Sequence, residues 1–193
     1  MLRASMARSL FVAALVAQVL LLGACQRRIG SPCRVSTDCS FRGERICDLS
    51  YRINNDGVRD PQGRGECTIE GCTTGSCPRE ATCIQVFNTE FTSVACDPER
   101  EDRRPPDDAD PSDTIYNRCT DQEICLPEGL CADLLSVRTT CRKECKSDRN
   151  CRDGYECRET GSNGVYVAFE PTRPNSHPIT KICMPLDLVS ESE

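Results

Sequence analysis

The sequence has little of what most catalytic sites need. Its 193 residues include no tryptophan and one histidine, His177, which lies in the Pro-rich stretch Arg173 to Pro178. No G-x-S-x-G motif occurs, so a Ser-His-Asp or Cys-His site would depend on that single loop residue. No pattern marks a pair of catalytic carboxylates. We therefore expect a protein that is not an enzyme.

The spacings that identify common metal and redox sites are also missing. No C-x2-C pair occurs, which disfavours a zinc knuckle and a thioredoxin-like redox motif. The stretches Asn54 to Asp60 and Asp107 to Asp113 are rich in oxygen ligands, but neither has the spacing of a calcium loop. We interpret them as a hairpin turn and a solvated linker. We expect no metal and no cofactor.

The chain also has fewer basic than acidic residues. The formal net charge is −6, and residues 1–24 contribute two arginines and no acid, so the chain from residue 25 onward carries −8. An excess of acidic groups opposes binding to the phosphates of nucleic acids. Nucleic acid is therefore not an expected partner.

Residues 1–24 have the composition of a secretory signal peptide. Arg3 and Arg8 precede an apolar run from Leu10 to Leu22 that only Gln18 interrupts. The run is short for a membrane span and ends at small residues, which is typical of a cleaved signal. We expect a helix over roughly residues 5–22 that packs on nothing. A transmembrane anchor is the alternative.

The signal segment ends in Leu22-Gly23-Ala24-Cys25, which resembles a bacterial lipobox. This resemblance implies cleavage before Cys25 and lipidation of its sulfur and amino group. Two or more hydrocarbon chains suffice for stable membrane anchoring. Gln26 stands where an Asp would favour retention in the inner membrane, so the resemblance implies an exported cell-envelope lipoprotein of the outer membrane.

Cysteine is the abundant residue, with 17 copies, and so high a content predicts disulfides in an oxidising compartment. Without Cys25 the number is even. The remaining cysteines form four groups of four: Cys33, Cys39, Cys47 and Cys67; Cys72, Cys77, Cys83 and Cys96; Cys119, Cys125, Cys131 and Cys141; Cys145, Cys151, Cys157 and Cys183.

Within each group, two nearly constant intervals precede one variable interval. The first two cysteines are separated by 4 or 5 residues and the next two by 5 or 7, whereas the last interval ranges from 9 to 25. This pattern indicates a repeated unit with one expandable loop. Four cysteines allow three connectivities, and we favour first-to-third with second-to-fourth in every group.

The variable intervals favour β-hairpins in three groups. In group one, Arg45–Cys47 and Gly65–Ile69 flank a turn-rich loop, and in group two Thr82–Phe87 and Phe91–Cys96 form a second pair. In group four, Val165, Val167 and Phe169 alternate with smaller or polar positions before the chain returns at Lys181–Cys183. In group three, Leu130–Val137 is compatible with a short helical turn.

These features predict a small disulfide-rich fold of tandem hairpin modules with little regular secondary structure. Residues 98–117 contain no large aliphatic residue before Ile115 and are dense in proline and charge, as in a solvated linker. The expected organisation is a signal peptide (1–24), a lipid-anchored tether (25–32), modules at 33–71 and 72–97, the linker at 98–117, modules at 118–144 and 145–185, and a tail at 186–193.

The phrase from Cys145 to Cys157, C-x5-C-x5-C followed later by a fourth cysteine, resembles dickkopf N-terminal domains and, more loosely, EGF-like domains. The resemblance implies extracellular binding or structural roles and assigns no functional residue. Beyond the membrane, the partner is an unknown protein or surface polymer. The alternative is a protease inhibitor or receptor ligand that acts through an exposed loop at 48–66 or 159–181.

Overall fold

A computed structural model describes residues 26–87, 94–99, 118–168 and 178–186. This part of the chain forms four small antiparallel sheets and two single-turn 3-10 helices, Ser36–Asp38 and Asp148–Asn150. The strands are β1 (Pro32–Cys33), β2 (Ile46–Ile53), β3 (Arg64–Thr68), β4 (Ala81–Val86), β5 (Glu123–Cys125), β6 (Cys131–Asp133), β7 (Arg138–Lys143), β8 (Tyr155–Glu159), β9 (Val165–Val167) and β10 (Lys181–Pro185). The expected signal helix lies outside the described residues.

The first sheet has the order β1-β3-β2 and contains the hairpin predicted for group one. Strands β2 and β3 are antiparallel, with Cys47 directly opposite Cys67. The turn that joins them begins at Asn54, whose side-chain oxygen accepts hydrogen bonds from the backbone N–H groups of Asp56 and Val58. The β-prone segments and the turn residues between them together produced a correct prediction here.

The central sheet, β7-β4-β9, joins three of the predicted modules. Strand β4 of the second module pairs on one side with β7 of the third and on the other with β9 of the fourth. The modules before and after the linker predicted at 98–117 therefore share one sheet, and the predicted module boundaries are wrong as divisions of the fold. The hairpin predicted within group two is also wrong, because β4 takes both of its partners from beyond residue 117.

The other two sheets are two-stranded. Strands β8 and β10 pair with Cys157 opposite Cys183, which confirms the return strand predicted for group four. Strands β5 and β6 pair with Cys125 opposite Cys131. The short helical turn considered for residues 130–137 does not form. Cys131–Asp133 is strand β6, and a turn leads from it into β7.

The segment expected to act as a tether is part of the folded body. Ile29 is buried against cysteines of groups two and three. The backbone of Gly30 donates a hydrogen bond to Cys67 O, and Cys67 donates one to Ser31 O. Arg27 N–H donates to Cys39 O at 3.1 Å. The predicted tether at 25–32 is therefore wrong from Arg27 onward, because these contacts fix the chain.

Cysteines make up much of the interior. Of the clusters of buried side chains, one consists of Cys33, Cys39 and Cys67 with Cys47 packed against it, and two others also contain disulfides. Small β-hairpins held by disulfides confirm the predicted fold class. Among the described residues, no helix has both the length and the apolar character needed to cross a membrane.

Candidate functional site: the disulfide framework and the N-terminal face

All sixteen cysteines after Cys25 are paired in eight disulfides, and their pairing follows one rule with two parts. In every group, the first and third members of the closely spaced triplet bond to each other. These bonds are Cys33–Cys47, Cys72–Cys83, Cys119–Cys131 and Cys145–Cys157. The favoured first-to-third connectivity is therefore confirmed in all four groups.

The middle cysteine of each triplet bonds to a remote cysteine. In groups one and four the remote partner is the fourth member of the same group, as expected, in Cys39–Cys67 and Cys151–Cys183. Groups two and three exchange their partners instead, in Cys77–Cys141 and Cys96–Cys125. The prediction that every pair lies within a group of four is wrong for these two bonds.

The strand pairing explains the exchange. In three of the units, the strand with the third cysteine lies antiparallel to the strand with the remote cysteine, so that Cys47 faces Cys67, Cys83 faces Cys141 and Cys157 faces Cys183. Because β4 pairs with β7, the remote cysteine beside Cys83 is Cys141. The unit built from residues 96 to 131 is thus inserted between the third and fourth cysteines of another unit.

The inserted unit reverses the order of its parts. Its remote cysteine, Cys96, precedes the triplet Cys119, Cys125 and Cys131 in the chain. An isolated bridge between Ala95 and Leu130 and a hydrogen bond from Cys96 N–H to Gly129 O place Cys96 beside the segment that leads to Cys131. In this unit the remote segment comes from the N-terminal side, and Cys131 lies opposite Cys125 rather than opposite the remote cysteine.

At four places in the described chain, the sulfur atoms of three cysteines lie within 4.8 Å of one another. Such clusters resemble thiolate metal sites by proximity alone. Every sulfur in them belongs to a disulfide, and a thiolate is the form of cysteine that ligates metal. The clusters are therefore accounted for by the crossing of two disulfides in each unit.

The stretch considered for calcium is a turn in which the side chains of Asn54 and Asp60 accept local backbone hydrogen bonds. The Asn54 side chain holds two backbone N–H groups, and Asp60 Oδ1 accepts the N–H of Gln62 at 2.8 Å. These are the local bonds by which Asn and Asp shape turns. The interpretation of this stretch as a hairpin turn is confirmed, whereas the acidic cluster Asp107–Asp113 lies outside the described residues.

A buried group of three charges joins the first unit to the central sheet. Asp48 and Glu66 face each other across β2 and β3, where two like charges destabilise a strand pair. The Arg142 guanidinium of β7 lies 3.3 Å from Asp48 and also contacts Glu66, with side-chain exposures of 11%, 6% and 5% respectively. Burial raises the pKa of Asp48, but hydrogen bonds from Ser50 and the charge of Arg142 together hold it below its ordinary value.

A second contact fixes the fourth unit against the first. The guanidinium of Arg152 stacks over the Tyr155 ring at 4.3 Å and donates a hydrogen bond to Gly65 O at 2.8 Å. Nearby, Gly57 and Gly154 both have positive φ, and a Cβ added at Gly154 would lie 2.6 Å from Gly57 O. Only glycine permits this approach.

These charged contacts were not found from the sequence. Arg142 is 94 residues from Asp48, and Arg152 is 87 residues from Gly65. Local patterns report neighbours three or four positions away on a helix or directly across a hairpin. The sequence contained one signal for the Arg142 contact, the acids Asp48 and Glu66 on facing strands of the predicted hairpin. Such a pair requires a positive charge from elsewhere in the chain.

The remaining predicted functional residues lie beyond what the structure describes. Cys25 is next to the first described residue, Gln26. His177 also falls outside, as do the other residues of 169–177 within the second candidate inhibitory loop, 159–181. The other loop, 48–66, is an ordered hairpin in which Val58 is exposed.

The N-terminal face is the surface formed by residues 26–45, where the chain enters the folded body. Gln26 donates a hydrogen bond to Glu44, Arg27 N–H donates to Cys39 O, and Arg45 donates to Arg27 O. These bonds hold the first two described residues against the loop that the Cys33–Cys47 disulfide closes. The described chain therefore enters the folded body beside this loop.

Comparisons with protein-family models, curated proteins and solved structures find no match to this chain.

Proposed function

We propose that this protein is a non-enzymatic lipoprotein of the bacterial cell envelope, anchored in the outer membrane by lipid on Cys25. Its disulfide-held body is a binding or structural module at the membrane surface, with a protein or surface polymer as its further partner. The resemblance of Leu22–Cys25 to a lipobox supports the anchor, and the signal-like residues 1–24 support export.

The observation that carries the proposal is the complete pairing of the other cysteines. The eight disulfides use all sixteen cysteines after Cys25 and leave that residue for a different chemistry. An exported protein with an odd cysteine forms an intermolecular bond, exposes a reactive thiol or modifies the residue. A lipobox position favours modification.

The disulfides also support the compartment. Eight structural disulfides in a chain of this size are typical of an exported protein, because cytosolic thiols are kept reduced. Three of the five buried clusters among the described residues contain disulfides, so covalent links contribute much of the body's rigidity. A rigid, cross-linked surface suits a recognition or structural role outside the cell, as the resemblance to dickkopf-type modules also implies.

Mass spectrometry of the mature protein tests the anchor. We expect a first residue Cys25 that carries a diacylglycerol thioether, and a C25S variant that leaves the membrane fraction. An unmodified N-terminus at Arg27 or beyond would contradict the proposal. Affinity capture from intact envelopes with the lipidated protein then identifies the partner, with the C25S variant as the control for anchoring.

A second candidate is inhibition of a protease by the hairpin loop at 48–66. Stiffness favours it: Asn54 N–H donates to Val58 O, and Asp60 N–H donates to Arg52 O, so the loop is held in one shape. The packing of Gly57 on Gly154 opposes it, because one side of the turn is covered. Inhibition that survives deletion of residues 55–59, or no inhibition at all, would exclude this candidate.

A further inference from the structure

We propose that the N-terminal face rests on the lipid surface, with Phe41 and Val35 inserted among the lipids and Arg28, Arg34 and Arg42 at anionic head groups. The proposal rests on the lipid anchor at Cys25 described above. It adds a second, protein-mediated contact that sets the orientation of the folded body on the membrane.

The apolar part of this face is exposed without a protein partner in the described chain. Phe41 is 86% exposed, more than any other large hydrophobic side chain among the described residues. Val35 is also exposed. The backbone N–H of Ser40 donates a hydrogen bond to Ser36 O. Val35 precedes Ser36 and Phe41 follows Ser40, so both lie on this turn. Aromatic side chains at the water boundary are typical of membrane interfaces.

The charge of this face is opposite to that of the rest of the chain. Residues 26–45 contain five arginines and two acids, a net charge of +3, whereas residues 46–193 carry −11. Both acids are engaged within the face: Asp38 accepts the N–H groups of Arg34 and Val35, and Glu44 accepts a hydrogen bond from Gln26. Clustered basic side chains at a membrane anchor bind anionic lipids.

The position of the face follows from the path of the chain. Arg27 is bonded to Cys39, and it is two residues beyond Cys25, so the lipidated sulfur starts within about two Cα steps, ~8 Å, of the loop. Residues 27–32 are fixed in the fold and therefore do not act as a flexible spacer between Cys25 and the body. Lipid chains inserted at Cys25 therefore draw this loop to the bilayer surface.

The absence of tryptophan from the chain makes the contact measurable with a single reporter. In an F41W variant of the lipidated protein, bound to vesicles of phosphatidylethanolamine and phosphatidylglycerol, we expect emission at shorter wavelength and quenching by brominated acyl chains. L135W is the matched control, because Leu135 is 77% exposed. Its backbone N–H is bonded to the carboxylate of Asp133, so an acidic group lies beside this turn. The emission of L135W should remain that of a water-exposed indole.

The arginines are tested in the same assay by an R34S/R42S change in the F41W background. We expect less quenching and a smaller shift, and unchanged quenching would overturn the role given to the arginines. A fully water-exposed indole in the F41W protein, or equal quenching of F41W and L135W, would overturn the proposed face.

Mass spectrometry of the same samples separates the two proposals. A lipidated, vesicle-bound F41W protein with a water-exposed indole contradicts the face alone. A mature protein without lipid at Cys25 contradicts the anchor and the face together. Circular dichroism and the absence of free thiols among the sixteen cysteines after Cys25 establish that each variant is folded.

Discussion

Cys77 bonds to Cys141 across 64 residues, although the two cysteines that flank Cys77 in its triplet, Cys72 and Cys83, bond to each other. The long bond crosses residues 98–117, as does Cys96–Cys125. Two covalent links and the β4–β7 strand pair therefore connect the segments on either side of this stretch. The two halves of the chain form one body.

Cleavage between residues 100 and 117 should leave the molecule intact until it is reduced. We expect a specific protease site placed there to give one band on a non-reducing gel and two after reduction, because Cys77–Cys141 and Cys96–Cys125 span the cut. A C77S/C96S/C125S/C141S variant should release two fragments under denaturing conditions without reductant. Separation of the cleaved native sequence without reductant would contradict the assigned pairing.

Removal of Arg142 should be the most damaging single charge substitution in the described body. R142M leaves Asp48 and Glu66 buried, opposed and without their counter-charge, and we expect a loss of ~3–5 kcal/mol in the free energy of unfolding. The control is R138M on the same strand, whose exposed pair with Glu70 should contribute at most ~1 kcal/mol. Urea unfolding of the oxidised proteins measures both.

A triple variant distinguishes lost charge balance from lost packing. D48N/E66Q/R142M removes all three charges while keeping similar side-chain volumes, and we expect it to be more stable than R142M alone. Equal stability of the two variants would show that the ionic group is not the cause of the R142M effect.

Stability should decline in acid through Asp48. Its folded-state pKa is held below the ordinary value of 3.8, so its ionised form favours the folded state. This contribution is fully present above the unfolded-state pKa and is lost as the pH falls through the lower folded-state value. Denaturant unfolding between pH 6 and 2 should show a shallower decline for D48N than for the native sequence. Identical profiles would contradict the role of Asp48.

Gly154 should tolerate alanine far less than Gly75 does. Both have φ near +77°, so alanine at either position pays a similar backbone cost of ~1–2 kcal/mol. A Cβ at Gly154 additionally meets Gly57 O and the Ile53 side chain, whereas nothing lies within 4 Å of one at Gly75. We expect G154A to lose a further ~1–3 kcal/mol from overpacking. Equal losses in thermal or urea unfolding would show that the two loops do not pack together.

The sequence predicted those features that depend on close neighbours. The connectivity favoured among the three possible ones was correct for every first-to-third bond, and the turn residues at 54–60 with their β-prone flanks predicted the β2–β3 hairpin. The partner of a middle cysteine depends on which strand lies beside the third cysteine. For Cys77 that strand is β7, which is chosen by burial of β4 between two strands from later in the chain.

The same reason explains the two errors in organisation. Residues 26–31 are polar enough to indicate a tether, but Ile29 alone supplies a buried anchor and the backbone supplies the hydrogen bonds. The Pro-rich stretch at 98–117 is a plausible boundary by composition, yet composition contains no information about pairing between the segments that flank it. Lipidation of Cys25 remains a prediction.

The insertion of one unit inside another has a consequence for biogenesis. During export the N-terminal part of the chain crosses the membrane first, so Cys77 meets oxidant while Cys141 is still on the other side. Cys72, Cys83 and Cys96 all emerge before Cys141, so a bond that Cys77 forms early in export is not the native one. Such a bond is converted to Cys77–Cys141 by thiol–disulfide exchange, so we expect the yield of the mature protein to rise with an isomerase present in addition to an oxidase.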